Sequence, residues 1–527
     1  VPFSRSSLTG SLIGVLFCTT PAPNPAPVQA PAKPALLVFI TVDQLREDYL
    51  ERWRGQFTGG LKQLLDGGAF FSNGFQDHAI TETAPGHASA MSGRFPRSTG
   101  ITRNLAGVND TTSLVAGRGL GASPARFRGT TLTDWLTAAD PRTRALSVSY
   151  KDRGAILPIG RSKQNVYWYA GPGMFTTSRW YGDSLPDWIK AFNARFPKQY
   201  AGKVWTLLLP ESAYPEPDSV PIESGGRGFQ FPYALSRAPD TAAAQLPSYP
   251  FLDEATAALA LQGVETLGLG RGPQTDVLAV SFSATDLIGH RFGPDSRELH
   301  DQILRLDRTI ASFLDSLYKL RDRGSVILAL TADHGVTPFP ELSQSRYSPP
   351  PRRVDVRPAL SAAREVLRRA GADTAAAEVE SGALLIEPGR AGVTAVLVNT
   401  AADSFVAVAR RIPGVQRAER FGELARHDLA TDYVARRWVQ MFPPEVPAEA
   451  IFVVTPGSYS TQFSIAMHGG VHDDDSHVPI LFFGAPFKPG RYPQFVRTVD
   501  IAPTLAQVLG VTPTEPLDGR PLTAAIK

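Results

Sequence analysis

The sequence predicts an α/β protein, a doubly wound and mostly parallel sheet with helices on both faces and insertions over one edge. Three observations carry that prediction. Short, wholly apolar runs read as buried parallel strands. Helix-period patterns lie between them. Each run stops at side chains of a chemical type, and ligands of open α/β sheets bind where parallel strands end.

The runs can be taken in order. "ALLVFITVD" ends at Asp43, and "ALSVSYKDR" runs into Lys151, Asp152 and Arg153. "TDVLAVSFSATD" ends at Asp286, with His290 four residues on. "SVILALTADHG" ends at Asp333 and His334. "HVPILFFG" follows the histidine-rich "AMHGGVHDDDSH". "GGLKQLLDGG" reads as a helix, and so does the stretch from Arg297, with Ile303, Leu306, Ile310, Phe313, Leu314 and Leu317 at helical spacing.

Two stretches break the strand–helix rhythm. Residues 155–272 are rich in aromatics, Pro and Gly and read as a cap over the sheet's carboxyl edge. Residues 340–456 combine amphipathic helices ("LSAAREVLRRAG") with short strands ("GVTAVLVN") and read as a small α+β subdomain. Both are expected as insertions in one catalytic domain spanning 31–527. There is no clear internal repeat.

Residues 1–30 differ in kind. An early Arg5, an apolar stretch over Leu12–Phe17, a Pro/Ala spacer and Val28-Gln29-Ala30 read as a cleavable signal peptide, hence a periplasmic or secreted protein. The apolar stretch is too short for a stable membrane anchor. Phe17 is too bulky for the lipoprotein pattern at Cys18. That cysteine is the only one, so cleavage would leave no disulfide or thiolate metal site. Net charge is +3 with scattered basic residues, which argues against a nucleic-acid partner. Oligomeric state is left open, and a monomer is compatible with the sequence.

The strand-end residues form a constellation. Asp43, Asp286, His290, Asp333, His334 and one of His468, His472 or His477 are ligand types that suit zinc. They suffice for two three-ligand sites, and two metals about 4 Å apart clamp the attacking and leaving oxygens of a phosphoryl transfer. Taken singly, an Asp at a strand end is often only the N-cap of the next helix, and a lone His is more often structural than a ligand. Lys151 and Arg153 read equally as surface charges. In "AITETAPGHASAMSG", Thr83 or Thr81 reads as a helix cap or as a reactive hydroxyl, and nothing local chooses.

Together, "TVDQLREDYL", "TETAPGHASAMSG", "ATDLIGHRFG", "TADHGV" and "HGG…SHVPILFFG" resemble the alkaline phosphatase superfamily. The likeness is to its bacterial alkaline phosphatases with a threonine nucleophile, relatives of type I phosphodiesterases and nucleotide pyrophosphatases. It runs from about Ala35 to the C-terminus and includes both insertions.

The resemblance implies two zinc ions per chain. Asp286, His290 and His468 would hold one. Asp43, Asp333 and His334 would hold the other, with Thr83 beside it as nucleophile. His468 is preferred to His472 and His477 because the family places this ligand in a His-Gly pair about nine residues before "HVP". The run Asp473–Asp475 reads as a solvated loop or a support behind the ligands, and His87 as structural. Lys151 and Arg153 match the family's Lys-x-Arg, and Asn104 matches its phosphate-binding asparagine. The expected activity is hydrolysis of small phosphate monoesters through a phosphothreonine, with the helix after Thr83 aiming its N–H groups at the phosphate.

The nearest alternative is a phosphodiesterase or nucleotide pyrophosphatase with the same metals. A sulfatase fits less well, because Thr-Ala-Pro-Gly stands where that branch has a modified Cys or Ser followed by Pro and Arg. A metal-dependent mutase lacks its usual serine here. An inactive zinc-binding scaffold would not need nucleophile, ligands and phosphate clamp together.

Overall fold

The computed structural model describes residues 1–4, 6–7, 9–10, 33–171, 173–223, 230–460 and 465–527. The chain divides into Val1–Lys33 and Pro34–Lys527. The described residues of the first unit form no helix or strand. The expected leader, with Leu12–Phe17, Cys18 and Val28–Ala30, lies outside the described residues. Among the described residues no helix is long and apolar enough to cross a membrane.

In Pro34–Lys527 the central strand is Leu36–Val42, every residue of it buried. Asp276–Phe282 pairs with it in parallel on one side and Val326–Thr331 on the other. Ala145–Ser149 and then Asn165–Tyr169 extend the sheet, again in parallel. Alternate residues face opposite layers, as the pleat requires. Val38, Ile40 and Val42 pack into a core shared with Ile303, Leu306, Ile310 and Phe313. Leu37 and Phe39 pack into a second core shared with Ala84, Ala88, Met91 and Leu505. Each face thus carries its own helical layer.

The register explains why chemical residues gather at one edge. Val42 pairs with Phe282, and Thr41 with Thr331. Continuing both pairings sets Asp43 opposite Ser283 and Asp333, so the neighbouring strands end level.

The "HVPILFFG" run departs from expectation. Ile480–Phe483 is antiparallel to Val326–Thr331 and to Ala69–Phe71. The reversal brings the residues before this strand, His468 to His477, to the edge where the parallel strands end.

The stretch 155–272, expected as a cap, also supplies the sheet and its layer. Asn165–Tyr169 and Phe175–Thr176 are sheet strands. The buried side of Phe251–Thr266 contributes Leu252, Leu259 and Val264 to the first core. Aromatics Phe175, Phe192, Phe196 and Tyr200 pack against one another as core, mostly edge to face or tilted.

Within 340–456 four antiparallel strands are ordered Ala377–Glu380, Ala383–Ile386, Ala448–Val454, Val415–Arg420. One face carries the helices Arg357–Arg369 and Ala395–Ala409. The other contributes Leu385, Ile451 and Val453 to a cluster with Ala79 and Ile80, just ahead of Thr83. "GVTAVLVN", read as a strand, is instead the start of Ala395–Ala409. Its β-branched residues suggested a strand, but Thr394 caps a helix by accepting from Leu397 N. Burial of Val398, Ala401, Ala402, Phe405 and Ala409 then follows helical spacing.

One buried acid ties two helices together. Asp307, midway along Arg297–Leu320, accepts from the backbone N–H groups of Thr58, Gly59, Leu61 and Lys62 at 2.7–3.2 Å. These are donors at the start of helix Gly60–Gly67, which no side chain of its own caps. Asp307→Ala should therefore cost about 2 kcal/mol, because four backbone donors lose their acceptor together, the buried Leu61 N among them. Asp307→Asn keeps one carbonyl oxygen and should cost less. Chemical denaturation measures both, and an Ala variant within about 0.5 kcal/mol of wild type would refute this role.

Candidate active site

Helix Ala284–Phe292 begins directly beyond the strand Asp276–Phe282. Its i,i+4 spacing puts Asp286 and His290 on one face, with His290 Nε2 3.2 Å from Asp286 Oδ1. His468 comes in from the reversed segment, and its Nε2 lies 3.7 Å from the same oxygen. Its ring stacks on that of His334, with centroids 3.6 Å apart. Asp43 Oδ1 is 3.4 Å from His334 Nε2, and Asp333 Oδ2 is 3.7 Å from it.

Two ligand-type clusters result. Asp286, His290 and His468 form one, and Asp43, Asp286 and His334 the other. Asp286 belongs to both. Asp333, expected in the second, lies beside it. Its Oδ1 accepts from the backbone N–H groups of Gln44 and His334, leaving Oδ2 toward the imidazole.

The donor set fits a divalent metal. Each of the three histidines spends Nδ1 on a backbone carbonyl: His290 on Ala466, His334 on Gly335 and His468 on Thr81. Donation there leaves Nε2 as the lone pair facing the carboxylates, the arrangement that orients metal-ligating imidazoles. Burial, with the neighbouring His334 and His290, holds His468 well below the usual histidine range, so it is neutral and able to ligate. Burial also lowers His334. Asp43 Oδ1 is buried without a hydrogen bond, while Asp43 Oδ2 faces Lys151 Nζ at 2.6 Å and Asp333 Oδ2 faces His87 Nδ1 at 3.1 Å. Burial, then the charges of Asp286 and Asp333, push Asp43 well above the usual carboxylate range. A cation among these oxygens would relieve both costs.

Lys151 leaves strand Ala145–Ser149 into the same space. Its Nζ is 2.6 Å from Asp43 Oδ2 and 2.6 Å from Asp286 Oδ2. It also donates to Thr83 Oγ1 at 3.2 Å. Burial opposes the charge of Asp286, yet Lys151 and His290 hold its carboxyl well below the usual range.

Thr83 is the first residue of helix Thr83–Ser92, so the cap position falls to Glu82, and the Thr83 hydroxyl meets His334 and Lys151 instead of the helix N–H groups. Nor does Thr81 cap the helix, since its hydroxyl donates to Gly470 O. The capping alternative therefore falls for both. Thr83 Oγ1 lies 3.4 Å from His334 Nε2. The helix can sit this close because of Gly86, where a Cβ would meet Asp333 O at 2.1 Å. His87, expected to be structural, hydrogen-bonds Thr83 O and Ser281 Oγ. It also stands 3.1 Å from Asp333 Oδ2, so it supports a candidate ligand as well as the helix.

Asn104 Oδ1 accepts from Ala84 N, and Asn104 N donates to Glu82 Oε2. One first-turn N–H that was expected to face phosphate is therefore committed, and Asn104 is left with its NH2 group as donor. Arg153 is the second residue of the short helix Asp152–Ile156 and is only loosely paired, 3.6 Å from Asp152. Thr83, Asn104, Lys151, Arg153, His290 and His468 line one cavity of about 550 Å³, with Tyr150 and Trp168 in its wall.

The other late histidines are spent elsewhere. His472 bonds Val454 O and Tyr433 Oη through its two nitrogens. His477 bonds Ser72 O and stacks on Phe75. Asp473 pairs with Arg437, and Asp474 with Arg46 and Tyr347. Asp475 accepts from Thr337 Oγ1 and from Gly470 N, and so holds the His468 loop. Burial pushes its carboxyl up to about 7. Sequence reading gave no specific role to Gln44, whose side chain touches Asp286.

Known proteins match at every level. The family model for type I phosphodiesterase / nucleotide pyrophosphatase matches residues 37–348. Alkaline phosphatase PhoV of Synechococcus elongatus is 30% identical over 98% of each chain. Alkaline phosphatase PafA of Elizabethkingia meningoseptica is 28% identical over 94% of this chain and 95% of its own. A crystal structure of PafA superposes with a TM-score of 0.85 at 27% identity, covering 95% of this chain and all of that one. Relatives of this kind imply bound metal ions, which agrees with the two clusters. The chain belongs to the type I phosphodiesterase/nucleotide pyrophosphatase family, as a phosphatase or phosphodiesterase with alkaline phosphatases among its full-length relatives.

Proposed function

We propose that the chain is an exported, zinc-dependent alkaline phosphatase that hydrolyses small phosphate monoesters through a phosphothreonine on Thr83. The observation that carries this reading is the setting of Thr83 Oγ1. It opens onto one cavity with Lys151, Asn104 and Arg153, against His334 and the carboxylate clusters.

Asp286, His290 and His468 would hold one zinc, and Asp43, Asp333 and His334 the other. When bound, such ions lower the pKa of a hydroxyl or water and stabilise a leaving oxygen. Thr83 Oγ gives up its proton to solvent and forms its bond to phosphorus as the ester P–O bond breaks, and the departing alkoxide takes a proton from water. Water then cleaves the phosphothreonine, returning the Thr83 hydroxyl and free phosphate. Two in-line displacements retain configuration at phosphorus. Lys151, Arg153 and the Asn104 amide bind the non-bridging oxygens, and charge-assisted bonds of this kind strengthen as charge develops. The aromatic wall at Tyr150 and Trp168 suits an organic leaving group. Export rests on the leader-like Leu12–Phe17 and Val28–Ala30.

Chelation should abolish turnover, and zinc should restore it. Full recovery with magnesium alone would refute the zinc reading, since the imidazole-rich donor set suits zinc rather than a hard oxygen-seeking ion. The second reading is a diesterase using the same groups, favoured by the description of the matching family model.

A further inference from the structure

We propose that Gln44 is a positioning residue, which fixes the orientation of the Asp286 carboxylate shared by the two clusters. The proposal rests on the reading of those clusters as metal sites.

The argument begins with the backbone. Gln44 follows Asp43 at the strand end and has φ +67°, in the left-handed region. Glycine enters that region freely, whereas a residue with a side chain is strained there. A long polar side chain kept at such a position, fully buried, calls for a compensating interaction.

The contacts supply one. Gln44 N donates to Asp333 Oδ1 at 3.2 Å, and Gln44 Nε2 donates to Asp286 Oδ1 at 3.0 Å. The carboxylate can only accept, so the amide nitrogen must be the atom facing it. The strained turn thus lets one residue hold two candidate ligands, by its backbone and by its side chain.

The bond to Asp286 also sets how that carboxylate is shared. Oδ1 is held where His290 Nε2 and His468 Nε2 converge, at 3.2 and 3.7 Å. Oδ2 is thereby turned to Lys151 Nζ, which reaches Asp43 on its other side. Without the Gln44 donor, rotation about the Asp286 side chain would disturb both clusters together.

The surroundings make room for the amide. Gly289 lies one turn along helix Ala284–Phe292, and a Cβ there would come within 1.9 Å of Gln44 Oε1. Gln44 Oε1 has no hydrogen-bond partner, so the side chain retains a buried, unpaired acceptor while its Nε2 serves Asp286.

Space filling is separable from hydrogen bonding. Gln44→Met keeps the length and the backbone strain but removes the donor, and Gln44→Ala removes both length and donor. The test titrates the metal-free full chain with zinc against a chromophoric chelator. Both variants are expected to bind zinc about 10- to 100-fold more weakly, the usual effect of losing a hydrogen bond behind a ligand. A crystal structure of metal-free Gln44→Met is expected to show the Asp286 carboxylate turned from its wild-type orientation. Wild-type zinc affinity in Gln44→Met, or an unmoved Asp286 carboxylate, overturns the proposal. Failure of the wild type to bind zinc would overturn the metal reading alone, and the carboxylate orientation would then decide the role of Gln44.

Discussion

Thr83→Ala is expected to lower kcat/KM for an aryl phosphate at least about a thousandfold, the scale on which removal of a nucleophile acts. The expectation follows from what the hydroxyl does and does not touch. The Thr83 hydroxyl meets His334 and Lys151 rather than the N–H groups of helix Thr83–Ser92, so the helix loses nothing when Oγ1 goes. His87 still bonds the Thr83 carbonyl, and Asn104 still holds Ala84 N. His334 Nδ1 remains tied to Gly335 O, and Lys151 remains between Asp43 and Asp286. Fold and metal content should therefore match wild type. Thr83→Ser should retain part of the activity. An Ala variant with near-normal turnover would remove Thr83 from the mechanism while leaving the metal reading intact.

Arg153→Ala should reduce monoester turnover by about a hundredfold, on the order of one lost donor to developing charge. Its effect on a diester should be much smaller. A monoester dianion carries a further charged oxygen, and the diester has an esterified oxygen in its place. A guanidinium aimed at that oxygen therefore discriminates between the two. Arg153 suits the experiment better than Lys151. The lysine is buried against Asp43 and Asp286, and its removal would also strand two carboxylates. Arg153 has only a long pairing with Asp152 to lose. Equal losses on the two substrates would mean that Arg153 does not read the extra charge.

Much of this site was legible in the chain because strands report their own ends. The runs closing at Asp43 and Asp333 lie in adjacent parallel strands, and their register leaves them level. Asp286 and His290 share a helix face by spacing alone. His468 depended on the resemblance, since composition does not separate it from His472 and His477. Geometry separates them, because those two rings hydrogen-bond elsewhere.

Other features had no local signal. Membership of Asp286 in both clusters depends on how a helix seats on a sheet. The work of Gln44 depends on a positive φ that no residue type other than glycine announces. The antiparallel course of Ile480–Phe483 could not be read from an apolar run, which looks the same in either direction. The stretch 155–272 breaks the strand–helix rhythm and reads as a cap over the sheet's carboxyl edge, yet Asn165–Tyr169 within it is a sheet strand. In Ala395–Ala409, a β-branched start hid a capped helix.

The central claim is that this site hydrolyses phosphate monoesters. The most direct test is kcat/KM of the zinc-loaded wild type for an aryl phosphate and for the corresponding bis-aryl phosphate. The account predicts strong preference for the monoester. Faster hydrolysis of the diester would contradict it and identify the chain as a diesterase built on the same metals and threonine.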